Sequence, residues 1–355
     1  MLLFLSMAWG ADYYADPVNG SAAGDGSAAD PWGSLEEIVA AGLFEVSQWD
    51  AFPYVEGTSV LVPRTAGPIG PGDTLWLRDG HHGEALIDSA YVEGGTITIA
   101  AVSGAHPTLS RVRFRSAQGF VLRGVTVSPS FAPSWSTETL VDLDSHSWTG
   151  PVRDITIEDC ELYSVIDSSA WTAADWNTLA PNGVQADGTD ITLRGNHLLN
   201  VNFGLSVSAD HSLVERNVVE NFAGDGMRGL GDFTTFQYNT VMNCYDVNDN
   251  HDDGFQSWSV GPGGVGTGEV TGIVLRGNVI LNYVDENQPL RGPLQGIGCF
   301  DGTFVDWVIE DNVVVTDHWH GITLLGARGV RVVNNTVVDR NSVSPGPPWI
   351  SIDDH

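Results

Sequence analysis

Seven segments of the chain alternate apolar and polar positions by one rule: "DITIEDCELYSV", "DITLRGNHLLNV", "HSLVERNVVENF", "FTTFQYNTVMNC", "GIVLRGNVILNY", "DWVIEDNVVVTD" and "GVRVVNNTVVDR". In each, an apolar-x-apolar strand is followed by two polar residues, a shared Asn (Asp in the first) and a second alternating strand. The shared position falls at Asp159, Asn196, Asn217, Asn239, Asn278, Asn312 and Asn335, at intervals of 37, 21, 22, 39, 34 and 23 residues. The short intervals define the repeat, and the long ones are the same repeat carrying insertions. Period-2 alternation with no helical period predicts strands throughout. The Leu-x-x-Leu-x-Leu pattern of leucine-rich repeats is absent. Three short strands per turn, with Asn stacked at one bend, give an all-β right-handed parallel β-helix with long inserted loops. Asn tolerates left-handed backbone, and its amide can bond the Asn one coil away to build a ladder.

Each repeat also holds a strand opened by Gly, or by Trp349 in the last: "NGVQADG", "FGLSVSA", "DGMRGLG", "DGFQSWS", "QGIGCFDG", "HGITLLG" and "WISIDD". Their alignment turns Val184, Leu205, Met227, Phe255, Ile297, Ile322 and Ile350 inward. Gln185, Ser206, Arg228, Gln256, Gly298, Thr323 and Ser351 then share one outer face. Just before the Gly stand Asn182, Phe203, Asp225, Asp253, Gln295 and His320. Less regular coils occupy residues 39–125. The organisation expected is a signal remnant at 1–11, an N-terminal cap at 12–45 and the β-helix at 46–355.

The repeats resemble those of the pectate-lyase-like right-handed β-helix superfamily. "YYADPVNGSAAGDGSAADPWGSLEEI", Tyr13 to Ile38, is similar to the opening of many secreted members, where it forms a first strand and a capping helix. The resemblance implies the fold over nearly the whole chain. It implies function broadly, because lyases, hydrolases, epimerases and phage spikes share this architecture. "DGMRGLGDFTTFQYNTVMNC" resembles most nearly the Gly-Gly-Ile-Arg coil of the polysaccharide lyases that include alginate lyases and chondroitinase B. By that resemblance Arg228 contacts or neutralises a substrate carboxylate. The chain departs from those lyases in having no Lys to act as base; all fifteen basic residues are Arg. A lyase here needs Arg228, as in another pectate lyase group, or His251, Tyr245 or His320.

Charge narrows the partners. A formal net charge of −30 repels nucleic acid and anionic membranes, and anionic polysaccharide too unless cations intervene. Saline surroundings explain the same acidity, because salt shortens the Debye length. "MLLFLSMAWGA" is an apolar run with a small-x-small site at Ala8-Trp9-Gly10 but no basic n-region. It reads as a clipped secretory signal and points to a secreted or extracellular chain, the periplasm included. Cys160, Cys244 and Cys299 are too few and scattered for a disulfide framework and are expected in the core. The last coil, "PWISIDDH", has no polar cap, so the sequence predicts that the chain continues or that another chain covers this end.

Chemistry gathers at "YDVNDNHDDGFQSWS", residues 245–259. Coils stack about 4.8 Å apart, so Asp225 and Asp253 lie one above the other, with Arg228 close by. Two such carboxylates repel by roughly 3.5 kcal/mol at an effective dielectric near 20. A shared proton, a cation or Arg228 must relieve that. Asp225, Asp249, Asp252 and Asp253 are the candidate ligands of Ca²⁺, which takes several hard oxygens with tolerant geometry. Arg228, His251, Asp253, His320 and Tyr245 are the candidate catalytic residues. Gln185, Gln256, Trp258, Trp319, Trp171 and Trp176 are candidates for substrate contact. Each has a plain alternative: Asp-Gly is a common turn signal, Arg228 can pair with Asp for solubility, and a Trp under a loop can simply be buried.

The first reading is a Ca²⁺-dependent lyase cleaving an anionic, uronate-containing polysaccharide in a groove edged by insertions near 164–182, 244–266 and 284–298. Hydrolysis by paired Asp, with Asp187 or Asp225 opposite Asp253, is second. Polygalacturonase signatures are only partly echoed, at Asp252-Asp253 and His320-Gly321. A non-catalytic adhesin or spike is third. The sequence does not give the oligomeric state.

Overall fold

In a computed structural model, residues 10–340 and 345–354 are described. Most of the expected signal segment therefore lies outside them. The chain winds as a right-handed parallel β-helix with three stacks of parallel strands. The site stack runs from Glu84–Tyr91 through Val184–Ala186, Leu205–Val207, Met227–Gly229, Asp253–Trp258, Gln295–Asp301 and His320–Arg328 to Trp349–Asp354. A second stack runs from Asp12–Ala15 to Arg331–Val333. A third has ten strands, from Gly80–His81 to Thr336–Asp339. Arg111–Arg123 is long enough to bend from the site stack into the second, which joins the two into one continuous sheet.

The register follows the hydrophobic pattern. Val184, Leu205, Met227, Phe255, Ile297 and Ile322 are consecutive partners, each no more than 1 % exposed. Gln185, Ser206, Arg228, Gln256, Gly298, Thr323 and Ser351 are partners on the outer face. A one-residue slip would turn the apolar row out to water. Ile350, inward in register but on the last described coil, is half exposed.

Asn196, Asn217, Asn239, Asn278 and Asn312 form a buried ladder, each amide donating to the next side-chain oxygen at 2.9–3.0 Å, the last to the part-buried Asn335. Two details correct the sequence analysis. The ladder position of the first repeat is Cys160, whose N–H donates to Asn196 Oδ1, and not Asp159. The left-handed residue is the one before each Asn: Asp159, Gly195, Arg216, Tyr238, Gly277, Asp311 and Asn334 all have φ between 54° and 63°. The ladder Asn residues are therefore selected for their amides and not for tolerance of the bend.

Helix α1 (Leu35–Ala40) lies within the expected cap. Ser34 and Glu37 close its first turn reciprocally, and Leu35 and Ile38 are buried. The first strand, Asp12–Ala15, already pairs with Thr74–Leu77, so this segment completes the first coil. Helix α2 (Ala173–Leu179), capped by Thr172 and Asp175, sits in the first large insertion.

Candidate active site

The insertions at 164–182, 245–252 and 282–294 all leave the third stack and enter the site stack, so they rise along one edge. They hold one another. Trp176 stacks on Tyr245 at 4.5 Å and meets Trp171 edge-on at 5.2 Å. Val247 and Leu290 join this small core. Asn177 donates to the Val247 carbonyl and accepts from Asn248. Trp176 is 1 % exposed and cannot touch a polymer, contrary to its assignment from sequence. Trp171 and Tyr245 are likewise engaged in this wall and stand outside the acid–base cluster. Burial and Glu220 raise the Tyr245 phenol pKa.

Beside the wall, the strand starts at Asp225 and Asp253 are stacked as expected. Both are buried, because the Gly that follows each closes the chain tightly onto the next coil. Asp225 Oδ2 accepts from Arg228 Nε at 2.5 Å, and its Oδ1 accepts from the Asp253 N–H at 3.0 Å. The Arg228 guanidinium lies 3.8 Å from the Phe203 ring centre and 5.3 Å from that of Trp258. Its two Nη groups make no hydrogen bond among the described residues. Asp253 Oδ2 faces His251 Nδ1 at 2.9 Å and accepts from Gln256 Nε2 at 3.2 Å. Its Oδ1 is buried with no partner.

The titrations follow from this packing. Burial raises the Asp253 carboxyl pKa, and Asp225 and Asp252 raise it further against the opposing pull of His251. Burial raises Asp225 as well, opposed by Arg228. His251 is raised by its hydrogen bond to Asp253. Burial pushes Asp252 up to about 7, lowers His320, and lowers His318 to about 4.

The four expected calcium ligands do not converge. Asp225 is committed to Arg228 and a backbone amide. Asp252 turns to Cys244 Sγ at 3.4 Å and Asn250 Nδ2 at 3.0 Å. Asp249 is exposed. Among the described residues no three His, Cys, Asp or Glu side chains stand in a metal-holding arrangement. The donors do not fit a six- to eight-oxygen calcium shell.

His320 opens a strand two coils beyond Asp253 and is separated from His251 by the Phe300 ring. It bonds Thr323 Oγ1 at 3.0 Å and meets His318 and Trp349. Trp319, 45 % exposed, lies parallel to Trp349. Gln185 is exposed on the outer row, two coils before Arg228. Phe203, Phe300 and Trp349 were not among the candidate site residues read from sequence. Phe203 occupies the same pre-Gly position as Asp225 and Asp253, which was the available signal.

Residues 182–344 match the family model described as a right handed beta helix region. Several solved structures are similar to this chain at low identity. A GH136 lacto-N-biosidase from Eubacterium ramulus is 10 % identical, over 92 % of this chain and 68 % of its own, with a TM-score of 0.45. A mannuronic acid specific polysaccharide family 6 lyase from human gut microbiota is 14 % identical, over 96 % and 82 %, with a TM-score of 0.44. The A-module of a mannuronan C-5 epimerase from Azotobacter vinelandii is 11 % identical, over 78 % and 90 %, with a TM-score of 0.38. No curated protein matches the sequence.

Proposed function

We propose that this β-helix is a polysaccharide-cleaving enzyme and that it acts by β-elimination at a uronate. The observation that carries the reading is one contiguous group: Arg228 with free Nη donors, an Asp225 that it locks, and a buried Asp253 bonded to His251. A guanidinium fork suits a carboxylate, so Arg228 neutralises the uronate. It supplies the positive charge assigned to calcium from sequence.

With its Nδ1–H donating to Asp253 Oδ2, His251 turns Nε2 outward as a base for the proton next to that carboxylate. Oδ2 accepts from both His251 and Gln256, so the Asp253 proton sits on the unpartnered Oδ1, as a general acid. The C–H electron pair forms the new C=C bond as the glycosidic C–O bond breaks, and the leaving oxygen takes the Asp253 proton. Hydrolysis also needs a proton donor, which Asp253 could be. It further needs a carboxylate free to activate water, and both Asp225 oxygens are engaged.

The test is a panel of acidic and neutral polysaccharides, with and without EDTA, followed by ultraviolet absorbance of unsaturated uronates and by reducing ends. Both signals rising on an acidic polymer support elimination. Reducing ends alone would replace it with hydrolysis, and silence across the panel would replace both with a binding role.

A further inference from the structure

The outer row passes from Gln256 to Thr323 through Gly298, which has no side chain. Its backbone does not require glycine, because its φ is not in the positive range. The reason is spatial. A Cβ at Gly298 would stand 2.2 Å from Asp253 Oδ1 and 2.8 Å from Phe300 Cε2. The unpartnered oxygen and the edge of the Phe300 ring thus meet over the same bare backbone.

Phe300 arrives there through an irregularity. Ser257 pairs with Cys299 and Trp258 with Asp301, so Phe300 is the extra residue of a β-bulge. Bulges of this kind re-aim side chains beside functional sites. This one sets the ring, only part-buried, between His251 at 6.3 Å and His320 at 4.8 Å. No polar group of the ring can satisfy Oδ1, so the ring acts as a cover and not as a hydrogen-bond partner.

We propose that Phe300 is a positioning residue and gate: its ring lies on Gly298, covers Asp253 Oδ1, and swings aside to admit one substrate oxygen to that atom. The identity of that oxygen, the glycosidic leaving oxygen, rests on the proposed elimination; the gate itself does not. Excluding water until substrate arrives keeps the acid from being hydrated, and a side-chain swing is a small form of lid motion. The groups facing Asp253 are Asp225 and Arg228 on the preceding coil, His251, Asp252 and Gln256 on its own, and Gln295 and Cys299 on the next. The heavy atoms nearest to a Cβ at Gly298 are Asp253 Oδ1 and the edge of the Phe300 ring.

The experiment places para-fluorophenylalanine at position 300 and reads its fluorine signal, with the H₂O/D₂O isotope shift as a measure of exposure. In the Gly298→Ala protein the added methyl should drive the ring into solvent and raise that isotope shift. A signal indifferent to Gly298→Ala overturns the gate, whether or not any polymer is cut. On a polymer cleaved by the wild type, Gly298→Ala should lower kcat/KM by about 100-fold, the range of a lost acid catalyst. Phe300→Ala should lower kcat with little change in KM, and Phe300→Leu should restore most of it. A Phe300→Ala protein with unchanged kcat also overturns the proposal. Absence of cleavage with the fluorine shift intact would instead refute the elimination and leave the gate standing.

Discussion

The second stack and the Asp225–Asp253 region of the site stack handle charge in opposite ways. Along the outer row of the second stack, Arg123, Glu158, Arg194, Glu215, Gln237, Arg276 and Glu310 are register partners on successive coils. Signs alternate, and the pairs close at 2.6–2.7 Å from Arg123 to Glu158, Arg194 to Glu215 and Arg276 to Glu310. Arg216 and Arg331 add further contacts to Glu215 and Glu310. At the Asp225–Asp253 step of the site stack two carboxyl groups lie one coil apart, buried, and one of their oxygens has no partner. Alternation on a half-exposed row accommodates a coil's charge at small net gain. Ionising both of two stacked carboxyl groups is costly in an apolar surround, and buried groups whose titration is displaced in this way are candidates for chemistry.

The largest expected effect breaks the site side of this contrast. Asp253→Asn should lower cleavage by at least about 100-fold while leaving the fold intact, as read by circular dichroism and initial rates. Undiminished activity in that variant would remove Asp253 from the mechanism. Arg228→Gln should abolish activity on acidic polymers and strand the buried Asp225 charge, at about 3–5 kcal/mol of stability. Adding Asp225→Asn to it should recover much of the stability in denaturant titrations and none of the activity. If the pair serves only solubility, the single substitution will instead be mild.

The pH profile sharpens the same contrast. His251 must be neutral to act as base, and its pKa is raised, so activity should climb only above its ordinary value near 6.5. It should fall again where Asp253 loses its raised proton. Stability moves differently. Asp252 holds its proton up to about 7 when folded, against 3.8 as its ordinary value. Its contribution is whole below about 4 and disappears as pH rises through 7. Melting temperature should therefore decline across that window, and Asp252→Asn should flatten the decline.

EDTA should leave the rate unchanged if Arg228 carries the neutralising charge. A rate abolished by EDTA and restored by Ca²⁺ would replace Arg228 with a metal in that role. The smallest effect belongs to the alternating row: Arg194→Gln, on an arginine 42 % exposed, should cost below about 1 kcal/mol and leave the rate unchanged.

The stacks were legible because every coil obeys the same two-residue period. Val184 through Ile322 could be aligned from sequence alone, and the stacking of Asp225 on Asp253 followed. Asp159 was misplaced because Asp resembles Asn in a one-dimensional alignment, whereas the ladder there is continued by the main-chain N–H of Cys160, for which any residue serves. Trp176 and Tyr245 were misjudged because insertions pack on one another, across about 70 residues of sequence, with no period to reveal it. "QGIGCFDG" gave no sign of its bulge, since one extra residue still reads as alternation on either side. The carboxylates at 249 and 252 looked like a ligand set by proximity in the chain, but Asp249 is exposed whereas Asp252 is buried against Cys244 and Asn250.

The three insertions that build the wall enter along the edge between the third stack and the site stack, and this has an architectural consequence. The three stacks form a ruled strip of constant pitch, and this margin accepts added text while the ruling stays fixed. Segments of different length can be written there without shifting the register that holds Asp225 over Asp253. Wall and strand row are therefore separately variable, so a different wall could be grafted beside the same Asp225–Asp253 pair.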